Sequence, residues 1–485
     1  MHYRVGSERP GSHFIEIEAR VENVATPHLE IQLPAWRPGR YELQNFAKNI
    51  QKFAVLNAEG ELLPFRKITK DRWLIDTQNA QTVVVKYNYY AHKKDAGSSF
   101  VDETLFYLNP VNLCVYTEGR LHEPCTLQLA LPENYTVACG LPQTTKHTFE
   151  ARDYYALVDS PLVASATIQC GHYEVDSVRF YVWIEGQIAP NWERILANFR
   201  AFTAVQIQTM GEFPEAEYHF INLILTEAFY HGVEHRNSTV VVLGPNDNNE
   251  GFHVDLLGVS SHELFHAWNA IRIRPQELMP YDFTRENYFS TCFVVEGLTT
   301  YYGDLFLKRA GVFSEADYLK ELEVYCKRHF EHNGRAAQSL TESSFDLWLD
   351  GYSQAIPDRK VSVYHKGALV ALILDLTIRK IHAHQRSIDD VARTLWQHFG
   401  KPFVGYSYQN YVDIAQQTAQ QNLDWYFEEC ILGHEPLENR LNEALAWVGL
   451  ALVRLPNGAV QINKTDDAAA AVERAKWLGA TAPPL

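Results

Sequence analysis

One short run of the sequence has residue types and spacing that suit metal chemistry. His262, Glu263 and His266 form a His-Glu-x-x-His pattern. On an α-helix, residues four apart lie one above the other, so both imidazoles can reach a single ion, and Glu263 lies about 100° around the axis beside it. Neutral imidazole is a natural zinc ligand, and a carboxylate near the metal can take a proton from water. The run therefore predicts a zinc site with a general base.

A further acidic residue lies in a largely apolar segment downstream, residues 293–302. This residue is Glu296. A catalytic zinc takes three protein ligands and keeps one position open, so a carboxylate on a neighbouring helix would complete the set begun by His262 and His266. The competing interpretation is a pair of partly buried helix histidines whose ring nitrogens form hydrogen bonds within the protein.

Length and composition limit the possible classes of protein. The chain has 485 residues, 46% hydrophobic and 13% aromatic, which excludes extended disorder and suits two or three domains. A formal net charge of −16 argues against nucleic acid or an anionic membrane as a partner. Seven scattered cysteines without a Cys-x-x-Cys pair indicate neither a disulfide framework nor a thiolate zinc site. Because no apolar run reaches the ~20 residues that cross a bilayer, and none has signal-peptide character, we expect a cytoplasmic protein.

Residues 1–171 have the pattern of a β domain. Apolar and polar residues alternate with period two over 13–22, 29–33 and 82–90, and turn signals lie between these runs. We expect an antiparallel sandwich or saddle that packs beside the catalytic region. Residues 34–41, Pro-Ala-Trp-Arg-Pro-Gly-Arg-Tyr, interrupt the strand pattern, and we interpret them as a structural turn anchored by Trp36.

After residue 185 the pattern changes, and from residue 255 it is mostly helical. Apolar spacing predicts a helix over 191–209, buried strands over 218–226 and 239–243, and a core helix over 361–375. Tyr364 lies in the first turn of that last helix, where a phenol can donate a hydrogen bond to a developing oxyanion. Without further context, Tyr364 is better explained as a core or surface tyrosine, one of 26 tyrosines in the chain.

Glu234 lies between the two predicted strands, shortly after a glycine. A glycine followed by charged residues beside a sheet edge suits the close approach of an extended peptide. The alternative is that Glu234, His235 and Arg236 form a solvated loop cluster.

Several separated motifs resemble the M61 peptidases, the glycyl aminopeptidase family, which is related to the wider aminopeptidase N group. The resemblance extends from about residue 2 to about residue 440. In chain order, the matching segments are 34–41, 232–238 (Gly-Val-Glu-His-Arg-Asn-Ser), 262–269 (His-Glu-Leu-Phe-His-Ala-Trp-Asn), 272–275 (Arg-Ile-Arg-Pro), 296–302 (Glu-Gly-Leu-Thr-Thr-Tyr-Tyr) and 364–367 (Tyr-His-Lys-Gly).

The resemblance implies an α+β multidomain architecture. We expect an N-terminal antiparallel β-sandwich or saddle domain at 1–171, followed by a mostly helical, thermolysin-like zinc peptidase domain at 172–438. Family members commonly end in a PDZ domain, and the segment 439–485 has room only for a truncated remnant of one.

The resemblance also implies roles for the metal and the reacting groups. One Zn²⁺ per chain would be bound by His262, His266 and Glu296, with Glu263 as the general base. Tyr364 matches the tyrosine that stabilises the tetrahedral intermediate in the wider superfamily.

A further match concerns the substrate. Gly232, Val233 and Glu234 resemble the family segment that binds the substrate N-terminus, and Glu234 matches the glutamate that pairs with the α-ammonium group. Where the aminopeptidase N group has Gly-Ala-Met-Glu-Asn, this chain has Gly-Val-Glu-His, so only the Gly and the Glu carry over.

We therefore predict a zinc aminopeptidase that releases N-terminal residues from peptides with a free N-terminus. The family likeness implies a preference for small residues such as Gly or Ala, and no nucleic-acid or membrane partner is expected. Three alternatives stay open: a zinc endopeptidase on the same scaffold, an epoxide hydrolase, as in one branch of the wider superfamily, and a non-catalytic binding protein that keeps the fold.

Overall fold

A computed structural model describes residues 1–246, 249–353 and 355–479, so the last six residues of the predicted C-terminal segment lie outside the described chain. The N-terminal region consists of strands and one short helix, α1 (Tyr154–Val158). The strands are β1 (His2–Gly6), β2 (Phe14–Val21), β3 (His28–Gln32), β4 (Ile50–Asn57), β5 (Phe65–Thr69), β6 (Arg72–Asp76), β7 (Val83–Tyr90), β8 (Phe100–Val101), β9 (Leu105–Leu108), β10 (Cys125–Ala130), β11 (Thr136–Cys139), β12 (Gln143–Thr145), β13 (Thr148–Ala151) and β14 (Leu162–Ser165).

The largest N-terminal sheet has the strand order β12–β13–β10–β1–β2–β7–β4. Along β2 every second residue is buried, because successive side chains of a strand point to opposite faces. Smaller sheets, β3–β6–β5 and β11–β14–β9–β8, pack with it around one apolar core. The predicted β domain is confirmed. The pairing differs from a purely antiparallel sheet at β1 and β10, which run parallel.

The region that follows begins with a mixed sheet and continues with helices. Its strands are β15 (Gln169–Val175), β16 (Val178–Glu185), β17 (Glu217–Ile224), β18 (Phe229–Glu234) and β19 (Ser238–Gly244). Its helices are α2 (Trp192–Met210), α3 (Glu250–Phe265), α4 (Leu298–Arg309), α5 (Glu315–Phe330), α6 (Leu340–Phe345), α7 (Leu347–Asp350), α8 (His365–Ile381), α9 (Ile388–Leu395), α10 (Tyr408–Ala419) and α11 (Glu438–Trp447).

Shorter helical turns join these elements. The 3-10 turns lie at Pro10–Ser12, Phe46–Asn49, Pro110–Asn112, Gln276–Leu278 and Asn333–Ala336. The π turns lie at Phe293–Gly297, Trp396–Gly400 and Tyr426–Leu432. No helix within the described ranges is long and apolar enough to cross a membrane.

The mixed sheet has the order β15–β16–β17–β19–β18, so β18 is an edge strand. β17 and β19 run parallel and are almost fully buried, as their apolar sequences predict. Among the described residues, β18 pairs antiparallel with β19 and with no other strand. The sequence pattern did not predict β18 as a strand.

Capping side chains fix where the helices begin. Asn191 accepts a hydrogen bond from the backbone of Arg194, which starts α2 one residue after the predicted start. Asn249 caps α3, the helix of the His-Glu-x-x-His pattern, in the same way. The predicted core helix at 361–375 begins later, since α8 starts at His365.

The C-terminal segment packs on the catalytic core. It forms a hairpin of β20 (Leu450–Arg454) and β21 (Val460–Lys464), followed by α12 (Ala468–Trp477). Trp477 is fully buried, and its Nε1 donates a hydrogen bond to the Tyr301 hydroxyl at 2.9 Å. The domain limits 1–171, 172–438 and 439–485 and the PDZ remnant remain proposals. β15 crosses the limit between residues 171 and 172, since it pairs continuously with β16 from Gln169 to Val175.

Candidate active site

The side chains of His262, His266 and Glu296 converge on one point. His262 Nε2 lies 3.0 Å from His266 Nε2, and Glu296 Oε2 lies 3.7 Å from the former and 3.4 Å from the latter. His266 and Glu296 are buried, whereas the His262 side chain is partly exposed. Two imidazoles and a carboxylate form the donor set of a catalytic zinc that keeps one position open. These residues therefore fit the predicted ion.

The turn after α3 orients the His266 ring and ties it to Glu296. His266 Nδ1 lies 2.8 Å from the Asn269 carbonyl oxygen, which only accepts, so Nδ1 carries the hydrogen and Nε2 offers its lone pair to an ion. The Asn269 amide donates to the carbonyls of Val294 and Val295 at 2.8 and 3.1 Å, inside the π turn of Glu296. Asn269 therefore links the two segments that supply the metal ligands.

Glu263 is a buried carboxylate beside the metal donors. Its Oε2 has no hydrogen-bond partner among the residues that the structure describes. Burial raises the pKa of Glu263 well above its usual range, and the charges of Glu234 and Glu296 add to this effect. A carboxylate with a raised pKa takes up a proton more readily, which is the property that a general base requires.

The edge strand β18 passes directly against Glu263. A Cβ atom at Gly232 would collide with Glu263 Oε1 and would lie 2.8 Å from Val259 Cγ2. Glycine at this position therefore allows the strand to come close to the Glu263 carboxylate.

Two glycines bring the Tyr364 region against the Glu296 turn. A Cβ atom at Gly367 would lie 2.7 Å from Gly297 Cα, and one at Gly297 would collide with the Gly367 backbone, so α8 and the π turn touch main chain to main chain. Tyr364, the residue before α8, lines the same cavity as Glu296. Burial raises the pKa of Tyr364 well above its usual range, and the negative charge of Glu296 raises it further. The phenol therefore stays protonated and can donate a hydrogen bond.

Glu234 ends β18 on the wall of the same cavity. Glu234 is 8% exposed and His235 is 5% exposed, so the alternative of a solvated loop cluster is wrong. Burial raises the pKa of Glu234 above its usual value, since a charged carboxylate loses solvation there. A cation in the cavity would restore a favourable partner for this group.

The loop at residues 34–41 reaches the cavity from the N-terminal region. Trp36 is fully buried and donates from Nε1 to the Asp282 carbonyl at 2.7 Å, as an anchoring residue should. The predicted turn anchored by Trp36 is present, and its residues Gly39 and Arg40 also line the cavity. A Cβ atom at Gly39 (φ +75°) would lie 2.9 Å from Glu234 Oε2. No local sequence pattern connects this loop to Glu234, so only the family likeness marked it.

Tyr352 is a second lining residue that sequence reasoning missed. Its hydroxyl accepts a hydrogen bond of 3.2 Å from the Tyr41 backbone, and its ring lies under the Arg40 guanidinium at 4.8 Å. It lies in a polar stretch without apolar periodicity, so the sequence offered no signal for it.

Comparisons with known proteins agree with this architecture. The family model of the Peptidase M61 N-terminal domain matches residues 2–166, and the model of the M61 glycyl aminopeptidase matches residues 255–370. The chain belongs to the M61 peptidase family. The second match contains the His-Glu-x-x-His run, Glu296 and Tyr364, whereas Glu234 lies between the two matched regions.

Solved structures share the M61 architecture. An aminopeptidase N family protein from Idiomarina loihiensis has a TM-score of 0.88 and 28% identity, covering 93% of this chain and 79% of that chain. An M1 zinc metallopeptidase mutant from Deinococcus radiodurans, bound to a Tyr-Ser-Ala substrate, has a TM-score of 0.55 and 13% identity. The match covers 90% of this chain and 94% of that chain. This second similarity concerns the fold alone. A search of curated protein sequences gives no match. The predicted family and fold class are confirmed.

Proposed function

We propose that this M61 peptidase is a zinc-dependent aminopeptidase that releases N-terminal residues from peptides with a free N-terminus. The observation that carries the proposal is one cavity of about 850 Å³ that contains the His262, His266 and Glu296 donor set together with the carboxylates of Glu263 and Glu234. The preference for Gly or Ala rests on the family likeness.

His262, His266 and Glu296 would hold one Zn²⁺ per chain. When bound, the ion supplies Lewis acidity that polarises the scissile carbonyl and makes water easier to deprotonate. The buried Glu296 carboxylate and the Asn269 carbonyl behind His266 keep these ligands in place.

Glu263 moves the proton. Its carboxylate takes a proton from the attacking water, whose oxygen bonds to the carbonyl carbon. Glu263 then passes that proton to the departing nitrogen as the C–N bond breaks. The unpartnered Oε2 is available for both transfers, and Gly232 gives the substrate backbone access to it.

Tyr364 stabilises the charge that develops on the carbonyl oxygen. Its phenol, kept protonated by burial, donates a hydrogen bond to the oxyanion. The contact between Gly297 and Gly367 fixes the separation between this donor and the metal ligands.

Glu234 fixes the register of the substrate. The free edge of β18 at Gly232 and Val233 pairs with the peptide backbone, and the Glu234 carboxylate then holds the α-ammonium group one residue from the cut. The α-ammonium group of a free N-terminus would give the buried Glu234 carboxylate a counter-charge inside the cavity. This arrangement favours an exopeptidase over an endopeptidase.

Metal analysis combined with hydrolysis of Gly- and Ala-anilides, free and N-acetylated, tests the proposal. We expect one zinc per chain and cleavage of the free anilides. Equal cleavage of the N-acetylated anilides would identify an endopeptidase instead. A zinc-loaded protein that cleaves neither form, or that hydrolyses a lipid epoxide alone, would overturn the proposal.

A further inference from the structure

A second cavity, of about 790 Å³, lies between the N-terminal β region and the catalytic region. We call it the basic cavity because the cationic side chains that line it are those of Arg37, Arg152, Arg236, Arg272, Arg274 and Lys401. Within the described chain, the acidic residues that line it are Asp153 and Asp159. This excess of positive charge is unexpected in a chain of net charge −16.

Carboxylates compensate only part of this charge. Glu215 Oε1 accepts from Arg236 Nε at 2.7 Å and from Arg272 Nη1 at 3.3 Å, so one carboxylate serves two guanidinium groups. Burial lowers the pKa of Arg272, and the positive charges of Arg236 and Arg152 also act to lower it. Arg152 pairs with Asp153 at 3.3 Å and Lys401 pairs with Glu212 at 2.6 Å, so the uncompensated positive charge lies on other members of the cluster.

Arg274 has no carboxylate partner in the part of the chain that the structure describes. It donates to the carbonyl oxygens of Ala270 and Ile271 at 3.3 and 3.0 Å. Its guanidinium lies over the Tyr281 ring at 4.2 Å and near the Phe403 ring at 5.3 Å. An unpaired cation between aromatic rings can bind an oxyanion whose apolar body packs on the same rings.

Two further polar side chains on the wall have unused hydrogen-bonding atoms. Arg37 is 2% exposed, and its Nε and Nη2 lack partners among the described residues. His235 is 5% exposed; its Nδ1 lies 3.0 Å from Asp159 Oδ1, while its Nε2 has no partner in the described ranges. Buried polar atoms normally find partners, so this wall has unused hydrogen-bonding capacity close to the basic cavity.

The cavity of about 850 Å³ that contains the proposed zinc site is called the catalytic cavity. The basic cavity is separate from it, but the two share a wall. Arg37 and Pro38 line the basic cavity, whereas the next residues, Gly39 and Arg40, line the catalytic one. Likewise, His235 lines the basic cavity and its neighbour Glu234 lines the catalytic cavity. None of the proposed catalytic side chains lines the basic cavity within the described chain, so the peptidase reaction does not account for its charge.

We propose that the basic cavity binds a small organic anion, with a carboxylate or phosphate group on an aromatic or alkyl body. Guanidinium groups pair with both kinds of oxyanion, and Tyr281, Phe283 and Phe403 receive the apolar body. The cavity has the size and the position between two regions that are typical of small-molecule sites. The net negative charge of the chain argues against a nucleic acid as the ligand.

The test is calorimetric titration of the metal-loaded full chain with phenyl phosphate at fixed low salt. We expect saturable binding that Arg274→Gln and Arg236→Gln each weaken by roughly tenfold. Arg152→Gln, at a side chain that is 60% exposed and therefore dispensable for folding, should weaken binding by about threefold. Arg440→Gln is the matched control, because this arginine pairs with Glu429 on a part of the surface outside the cavity.

Further ligands separate the parts of the proposal. Benzoate, titrated in parallel, distinguishes a carboxylate ligand from a phosphate ligand, and binding of either one supports the site. Absence of saturable binding, or equal affinity in all variants as expected for binding at the metal, would overturn it. If phenyl phosphate binds no more tightly than inorganic phosphate, the proposed binding of the apolar body by the aromatic side chains is wrong. Because heat of binding is measured, these outcomes are independent of peptide hydrolysis.

Discussion

The two walls of the catalytic cavity are built in different ways. The helical wall carries His262, Glu263 and His266 on α3 and Glu296 on a π turn, with Tyr364 beside it. The strand wall consists of Gly232 and Glu234 on β18 and of Gly39 and Arg40 in the loop 34–41 from the N-terminal region.

Local helix geometry and backbone contacts set the helical wall, whereas contacts between distant segments set the strand wall. We infer that the helical wall performs the chemistry and the strand wall selects the substrate. Substitutions in the helical wall should therefore impair the chemical step, whereas substitutions in the strand wall should impair substrate selection.

The largest effect is expected from Glu263→Gln on the helical wall. The amide keeps the size of the side chain but cannot accept the proton, so kcat should fall by about 10³-fold or more. Zinc content should be unchanged, because Glu263 is not a proposed ligand. The measurements are steady-state hydrolysis of Ala-anilide and metal analysis of the same sample.

Glu250→Gln is the matched control for this variant. Glu250 lies in the first turn of the same helix, and its exposed side chain pairs with Arg194. We expect near-normal turnover from Glu250→Gln. Near-normal turnover from Glu263→Gln would remove Glu263 from the role of base.

Glu234→Ala tests the strand wall. Loss of the counter-charge for the α-ammonium group should lower kcat/KM for free-amine substrates by roughly 10²-fold. Residual cleavage of N-acetylated substrates should stay almost unchanged, because they carry no such charge. Glu227→Ala, at an exposed residue before β18, should leave both rates unchanged. Equal losses on both substrates would contradict α-amine recognition.

The pH dependence of metal binding should report the protonation of His266 on the helical wall. Burial acts to lower the pKa of His266, but the charges of Glu296 and Glu234 outweigh it and raise the pKa to about 10 in the metal-free site. The ion must displace this proton, so apparent zinc affinity should fall about tenfold for each pH unit below that value. Competition with a chelator at several pH values measures this slope, and a flat profile would contradict it.

The same pKa shift affects the stability of the metal-free protein with a defined sign. A raised pKa means that the folded state holds the proton more tightly than the unfolded state. The stabilisation from His266 is therefore fully present below its ordinary pKa of 6.5 and is lost as the pH rises through about 10. Chemical unfolding of the metal-free chain across this range measures it.

The smallest effect is expected from Gly232→Ala, where the two walls touch. The new Cβ would collide with the end of the flexible Glu263 side chain, so the carboxylate should move while the fold persists. We expect kcat to fall by about fivefold with little change in Tm. Gly258→Ala on α3 is the control, because its Cβ would meet no atom closer than 3.8 Å. Equal rates in the two variants would show that the approach of β18 to Glu263 is not critical.

The helical wall was largely predictable from the sequence. The four-residue spacing of His262 and His266 fixes two ligands on one helix face, and Glu296 was recognisable as a carboxylate in an apolar run. The alternation along β2 and the continuous apolar runs of β17 and β19 likewise predicted these strands. In these cases the local spacing of apolar and polar residues matches the pattern of buried and exposed positions in the fold.

The strand wall was less predictable because tertiary contacts define it. Gly232 and the charged residues after Glu234 break the alternation that marks a strand, so β18 was not recognised. The approach of Gly39 to Glu234 joins segments far apart in the chain, and no local period encodes it. The parallel pairing of β1 with β10 was missed for the same reason.

The loop anchored by Trp36 places Gly39 and Arg40 of the N-terminal region on the cavity wall beside Glu234. In the proposed aminopeptidase, residues 172–438 alone would keep Glu234 and every proposed reacting group but would lose the backbone at Gly39 that packs against the Glu234 carboxylate. The excised region should then discriminate less sharply between the end of a peptide and its interior.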